Sequence, residues 1–192
     1  MTSYLLAGPA QEPVSLARAK TFLRIEDAAE DGLIETLVSA ARLHVESIIG
    51  RAMIAQTWRI VLDAFPAGGV VKLPVSPVTA ISAVRAYDEA GEAVNLDAGI
   101  FALDAFVTPA CIRVPDIVPG LPRLRAARGI EIDFLAGFGP EPEDVPGDLC
   151  QALLTLVAHW YEHRDAVIVA GSGAVVPAGF DRLVAPYKRV RL

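Results

Sequence analysis

Two stripes of apolar residues at helical spacing open the chain. The first begins after Ser15, whose hydroxyl suits the position that caps a helix N-terminus. The second runs from about residue 29 to residue 49 and stops before Gly50, a residue typical of the position after a helix. His44 lies beside the second stripe and is interpreted as a partly buried structural histidine. The pattern predicts two N-terminal helices.

From Gln56 the period of the pattern changes to two. Trp58, Ile60 and Leu62 alternate with residues of the opposite face, which is typical of a strand. A hairpin is predicted within VTAISAVRAYDEAGEAVNL, with its turn at residues 89–92. Further short strands are predicted at GGVVKLP, GIFALD, ACIRV and RGIEIDFLAGFG.

Helical spacing returns near the C-terminal end. Leu149, Leu153, Leu156 and Trp160 form one stripe after Pro146, which is tolerated in a first helical turn. A third helix is therefore predicted over residues 147–165. A glycine- and alanine-rich stretch follows, and a short helix is predicted to start near residue 178.

The order of elements predicts an α+β fold. It consists of a helical core of two N-terminal helices and one long C-terminal helix, an inserted, mostly antiparallel β region, and an extended C-terminal tail. We interpret the chain as one domain, because 192 residues suit an ordinary domain size. Its predicted parts are the N-terminal helices at 1–54, the β insertion at 55–139, the C-terminal helix at 145–165 and the tail at 166–192.

Composition narrows the classes of function. A net charge of −6 weighs against non-specific DNA binding, which depends on neutralising phosphates. The charge is uneven, with acidic residues crowded in the first third and cations at the end. This asymmetry either orients the chain against a partner or reflects two solvated faces. The two cysteines, Cys111 and Cys150, form no CxxC pair and are predicted to be buried free thiols.

The sequence HWYEH places His159, Glu162 and His163 at the spacing of an H-x-x-E-H zinc motif. Residues four apart share a helix face, so both histidines could bind one zinc with Glu162 as the base. The glutamate that would serve as third ligand is missing, since only Asp165 and Asp181 follow His163 as carboxylates. A zinc-dependent hydrolase is therefore the alternative hypothesis, and we expect no catalytic residues, no metal and no cofactor.

The C-terminal tip, APYKRVRL (residues 185–192), alternates cations with the apolar side chains of Tyr187, Val190 and Leu192. A terminal segment of this kind suggests a docking arm that becomes ordered on a partner, by adding to a sheet edge or filling a groove. The alternative is a tail that packs on its own domain. Residues 171–173, GSG, are interpreted as a hinge before the tip.

Taken in order, several segments resemble a known family. They are SLARAKTFLRI, VESIIGRAM, QTWRIVLDAFP, VVKLPVSPVTAISAVRAYDEAG, IEIDFLAGFG, VPGDLCQALLTLVAHWYEHRD and VPAGFDRLVAPYKRVRL. Together they look like the head–tail connector (adaptor) proteins of tailed bacteriophages, in the larger subgroup with a β insertion that also occurs in gene transfer agents. The resemblance covers nearly the whole chain.

The resemblance implies a structural protein and no enzyme. Such adaptors form a ring, commonly of twelve copies, beneath the portal protein, where the ring extends the DNA channel and meets a stopper or tail-completion protein. DNA passes through without sequence-specific binding. The sequence itself predicts no membrane partner, because no apolar stretch reaches the roughly 18 residues needed to span a bilayer. The chain would be made in the bacterial cytoplasm and reside at the head–tail junction of the particle. In this family the C-terminal segment reaches the portal, which assigns portal binding here to Tyr187, Lys188, Arg189, Val190, Arg191 and Leu192.

Overall fold

A computed structural model describes residues 1–163 and 177–188 of the chain. Four α-helices and eight β-strands occur in these ranges. The helices are α1 (Leu16–Leu23), α2 (Asp31–Ile49), α3 (Gly147–Glu162) and α4 (Phe180–Val184). The strands are β1 (Thr2–Ala7), β2 (Gln56–Leu62), β3 (Val70–Lys72), β4 (Val78–Tyr87), β5 (Ala93–Leu96), β6 (Ala102–Asp104), β7 (Cys111–Arg113) and β8 (Ile130–Ala136).

The strands form two antiparallel sheets. A five-stranded sheet has the order β1-β2-β8-β4-β5, and a three-stranded sheet has the order β3-β7-β6. At the centre of the larger sheet, β2 pairs with β8 from Gln56 opposite Ala136 to Leu62 opposite Ile130. The predicted α+β class and the antiparallel β region are confirmed.

The first strand was not predicted. Residues 1–54 were predicted to form the N-terminal helices, whereas β1 pairs antiparallel with β2 at the edge of the larger sheet. Five of the six residues of β1 are exposed. The strand therefore lacks the alternation of apolar and polar positions by which a half-buried strand is recognised. The strand is held by backbone pairing, which leaves little trace in the sequence.

Caps confirm the predicted start of α1 and end of α2, whereas α2 begins at Asp31 and α3 ends at Glu162, inside the predicted bounds of residues 29 and 165. Ser15 Oγ accepts a hydrogen bond from the backbone N–H of Arg18 at 3.2 Å. Gly50 ends α2 at φ +66°, a conformation that glycine adopts without strain, and its N–H donates to the carbonyl of Glu46 at 2.8 Å. The short helix predicted near residue 178 is α4, which begins at Phe180.

The chain divides into two compact units, one of strands and one of helices. The β unit comprises Met1–Ala10 and Ala55–Phe138, and the helical unit comprises Gln11–Ile54 and the described part of the range from residue 139 onward. The assignment of the whole chain to a single adaptor domain stays a prediction.

Each unit has its own set of buried apolar residues. In the β unit they come from both sheets and include Ile60, Ile132 and Phe134 of the larger sheet and Ile112 of the smaller one. In the helical unit α2 packs against α3, and α1 and α4 contact this pair. The contributing stripes include Ile34, Val38, Ala41, Val45 and Ile49 of α2 and Leu149, Leu153, Leu156 and Val157 of α3.

Both cysteines are buried free thiols, as predicted. Burial raises the pKa of the Cys150 thiol above its ordinary value. None of the helices in the described ranges is long and apolar enough to cross a membrane.

Candidate functional site

Helix α4 anchors the base of the C-terminal tip to the helical unit. It begins after Gly179, whose φ of +91° lets the chain turn into the helix. Two of its side chains are buried, Phe180 at 1% exposure and Val184 at 0%. The ring of Phe180 lies 6.5 Å from the ring of His44 on α2. Burial of these side chains fixes where the tip leaves the helical unit.

Tyr187 and Lys188, the first two of the six residues predicted to bind the portal, follow α4. A 3-10 turn, Ala185–Tyr187, ends with the carbonyl of Tyr187 accepting a hydrogen bond from Arg51 Nε at 2.9 Å. Lys188 is exposed, and its Nζ lies 3.0 Å from Asp181 Oδ1 on α4. Tyr187 and Lys188 therefore lie against their own unit. Arg189, Val190, Arg191 and Leu192 lie outside the described residues, as do the predicted hinge glycines.

The HWYEH histidines share one face of α3, as their spacing predicts. The rings of His159 and His163 are 4.6 Å apart and tilted by 31°. His163 Nδ1 lies 3.1 Å from the carbonyl oxygen of His159, and His159 Nε2 is buried without a hydrogen-bond partner in the described ranges. Within those ranges no group of three histidine, cysteine, aspartate or glutamate residues could hold a metal ion. Asp181 pairs with Lys188, and Asp165 lies outside the described residues.

The aromatic residues within HWYEH pack inside the helical unit. The ring of Trp160 meets the ring of His44 edge to face at 5.6 Å. The hydroxyl of Tyr161 donates a hydrogen bond to the carboxylate of Glu30, just before α2. These contacts join α3 to α2, and they agree with the interpretation of His44 as a partly buried structural histidine.

A cluster of ion pairs in the helical unit is centred on Arg42 of α2. Its Nε lies 2.7 Å from Glu12 Oε2, and its Nη1 lies 3.0 Å from Glu46 Oε2. Burial would lower the pKa of Arg42, but the two carboxylates outweigh this effect and raise it. Glu46 also accepts from the backbone N–H of Met53 at 2.8 Å. Arg42 thus ties the segment before α1 and the turn after α2 to one helix.

One face of the five-stranded sheet carries a network of charges that the sequence analysis missed. Arg59 of β2 binds Asp133 of β8 through two hydrogen bonds of 2.6 and 2.9 Å. Arg85 of β4 reaches the same carboxylate at 2.9 Å, and Arg59 Nη1 lies 3.0 Å from Glu131. Tyr87 donates to Glu131 at 3.0 Å. The network joins the three central strands of the sheet.

The network shifts the pKa values of three of its members, Asp133, Arg59 and Tyr87. Burial would raise the pKa of Asp133, but the guanidinium groups of Arg59 and Arg85 hold it below its ordinary value. The hydrogen bond to Asp133 raises the pKa of Arg59, and burial, with Glu131, raises the pKa of Tyr87. The pairing therefore favours the carboxylate form of Asp133 and the guanidinium form of Arg59, which suits a structural role.

The alternation of apolar and charged residues along β8 is a sequence signal from which part of this network could have been predicted. In the predicted strand RGIEIDFLAGFG, Ile130, Ile132 and Phe134 alternate with Glu131 and Asp133, which places the two carboxylates together on the opposite face. Arg59 and Arg85 occupy the corresponding polar positions of β2 and β4. Only the pairing of strands far apart in sequence, 74 residues between Arg59 and Asp133, brings the charges together.

The first part of the chain matches a family model. Residues 13–92 match the model of the phage gp6-like head-tail connector proteins. This range spans α1, α2, β2, β3, β4 and the turn between β4 and β5. No curated protein matches the chain.

Solved structures match the chain over its entire length. One is described as "Neck of empty GTA particle computed with C6 symmetry", at 28% identity and a TM-score of 0.81, covering 100% of this chain and 97% of that one. A second is described as "Virion of native gene transfer agent (GTA) particle", at 28% identity and 0.79, with the same coverage. A third, "Neck of native GTA particle computed with C12 symmetry", matches at 27% identity and 0.75, again covering 100% and 97%.

The resemblance to head–tail connectors, including those of gene transfer agents, is thereby confirmed. The family match and the neck structures support a structural connector role for the chain. Its similar structures are components of assembled particles.

Proposed function

We propose that the chain is a ring-forming head–tail connector at the junction of head and tail in a gene transfer agent or tailed phage. The observation that carries the proposal is the full-length match to neck structures, together with the family match at residues 13–92. Cyclic symmetry in two of the similar structures supports a ring of copies. The ring lies beneath the portal protein, extends the DNA channel and meets a stopper or tail-completion protein.

The role is structural and requires no catalysis. The charged side chains of the β unit's network are paired with one another, and His159 lies on α3 while His163 is the exposed residue that ends this helix. The acidic net charge of −6 favours passage of DNA, because a channel wall that bound phosphates tightly would obstruct it.

The C-terminal tip is the portal-docking arm of this proposal. Helix α4 and the hydrogen bond from Arg51 to Tyr187 fix the base of the arm. Lys188 lies exposed at its start, and Arg189, Val190, Arg191 and Leu192 continue it. A fixed base lowers the entropy lost when the remaining residues become ordered on a partner.

Co-sedimentation with portal-bearing heads that lack this chain tests the proposal. The full chain should pellet with the heads, whereas a variant without residues 186–192 should remain folded and stay in the supernatant. The matched control is Arg182→Ala, which removes a cation of α4 from a position before the deleted segment. Failure of the full chain to bind contradicts the connector function. Equal binding by the truncated variant contradicts the docking arm alone.

A zinc-dependent hydrolase remains testable by separate means. It requires stoichiometric zinc in the purified chain, together with a hydrolytic activity that His163→Ala abolishes without unfolding the protein. We expect neither, because the described residues provide no third ligand near His159 and His163.

A further inference from the structure

The outer edge of β1 is open in the β unit. Among the described residues β1 pairs with β2 on one side and with no strand on the other. Its large side chains are half-exposed, with Leu5 at 41% and Leu6 at 43%. An open edge with exposed apolar side chains is a template for pairing with another strand.

The two sheets differ in how their edges are protected. Folded proteins commonly block an edge strand with a charged residue, above all lysine, or with proline. The edges of the three-stranded sheet are charged in this way, with Lys72 on β3 and Asp104 on β6. The edge strands of the five-stranded sheet, TSYLLA in β1 and AVNL in β5, contain no charged residue and no proline. Only the larger sheet therefore has two unprotected edges.

The directions of the two open edges suit a cyclic assembly. Each neighbouring pair in the five-stranded sheet is antiparallel, so β1 and β5 run in the same direction. Neighbours in a sixfold or twelvefold ring are related by a rotation of 60° or less, which turns a strand direction by no more than that angle. A cyclic contact also joins two different surfaces, whereas β1 against β1 would be a twofold contact.

We propose that β1 of one copy pairs in parallel with β5 of the next copy, so that the five-stranded sheets join from subunit to subunit around the ring. This inference rests on the proposed ring and adds the surface through which the copies associate. Backbone hydrogen bonds between the edges satisfy their outward-facing N–H and C=O groups. Leu5 and Leu6 lose contact with water when the neighbouring edge covers them.

Disulfide cross-linking between variants that each carry one introduced cysteine tests the pairing. Ser3→Cys and Leu5→Cys place a thiol on β1, and Ala93→Cys and Asn95→Cys place one on the exposed positions of β5. The native thiols contribute little background because Cys111 and Cys150 are buried. Each β1 variant is mixed with each β5 variant, assembled on portal-bearing heads and oxidised mildly.

Pairing of β1 with β5 predicts cross-linked heterodimers in the mixtures and no cross-linked dimers when a β1 variant is assembled alone. Parallel pairing further predicts that the thiol at position 5 prefers a partner further along β5 than the thiol at position 3 does. Rings that assemble without heterodimers overturn the edge pairing and leave the connector function intact. Self-linking of the β1 variants, or the reverse preference, overturns the parallel head-to-tail arrangement. If no ring forms on the heads, both the function and the inference fail.

A charge placed on the edge gives an independent measure. Leu5→Lys places a lysine on the uncharged edge strand β1, where a charge opposes pairing with another strand. It should reduce ring formation at least tenfold while the monomer stays folded. Val70→Lys is the matched control, because Val70 is 37% exposed and lies on β3, an edge of the other sheet. Equal ring formation by Leu5→Lys and the unmodified chain contradicts the proposal, as does an equal loss with both variants.

Discussion

The two compact units place their charged residues in different ways. The β unit gathers charge in the middle of its larger sheet, where Arg59, Arg85 and Asp133 join three strands, and leaves both outer strands uncharged. The helical unit uses its arginines to hold chain segments that are distant in sequence. Arg42 holds the segment before α1, and Arg51 holds the base of the tip.

This difference separates two kinds of assembly surface. An uncharged edge offers backbone groups that any strand of suitable direction can pair with, which suits contact between identical copies. A tip of alternating cations and apolar side chains offers side-chain recognition, which suits a different partner. The β unit is thus the candidate for association between copies, and the helical unit is the candidate for docking to the portal.

Removal of the central carboxylate of the sheet should have the largest effect. Asp133→Ala leaves Arg59 and Arg85 without their shared partner in a partly buried setting, so we expect a loss of about 3–5 kcal/mol of unfolding free energy. Urea unfolding measures the loss. Asp104→Ala is the control, because Asp104 pairs at 3.4 Å with an exposed Arg113 and should cost less than about 1 kcal/mol. Similar losses for the two variants would remove the distinction between central and edge charges.

Truncation of the α4 anchor should come next. Phe180→Ala leaves a cavity where a buried ring packed and should lower the free energy of unfolding by about 3 kcal/mol. Local opening of α4 should increase first. Hydrogen exchange of the amides at residues 180–188 should accelerate, while exchange in the β unit stays unchanged. Arg182→Ala, an exposed change on the same helix, should leave these rates as they are. Unaltered exchange in Phe180→Ala would show that the base of the tip is fixed by other contacts.

Acid should weaken the β unit through Asp133. Because the folded-state pKa of Asp133 lies below its unfolded value, its contribution to stability is complete above the ordinary aspartate range. The contribution is lost as pH falls from that range through the lowered pKa. Urea unfolding between about pH 6 and pH 2 should show a steeper decline for the unmodified chain than for Asp133→Asn. Parallel pH profiles for the two proteins would contradict the assigned role of the carboxylate.

The smallest effect is expected at the Arg51 contact. Arg51→Ala removes one charge-assisted hydrogen bond to the carbonyl of Tyr187 and should cost about 1–2 kcal/mol locally. Trypsin should then cleave faster after Lys188, which lies exposed beside this contact. Cleavage at the unmodified rate would mean that α4 alone holds the base of the tip.

Much of the fold follows from local sequence patterns. The helical stripes, the cap at Ser15 and the end at Gly50 are properties of neighbouring residues, and each is found where the sequence predicts it. Strand β1 was missed because an edge strand exposed on both faces has no pattern of burial. Division of the strands into two sheets depends on pairings such as β2 with β8, which no local pattern encodes.

The candidate sites were predictable to different degrees. The resemblance to connectors rested on an ordered set of segments and is confirmed, whereas portal binding by residues 187–192 stays a prediction. The charge network at Asp133 was not predicted, because its members are spread over β2, β4 and β8 and only the sheet register brings them together. Charges on a strand face become interpretable once the neighbouring strands are known.

Electron microscopy of portal-bearing heads, with and without the purified chain, tests the connector function most directly. We expect an added ring of density beneath the portal when the full chain is present, with cyclic symmetry in averaged images. Heads that remain unchanged at the portal vertex in the presence of folded, excess protein would contradict it.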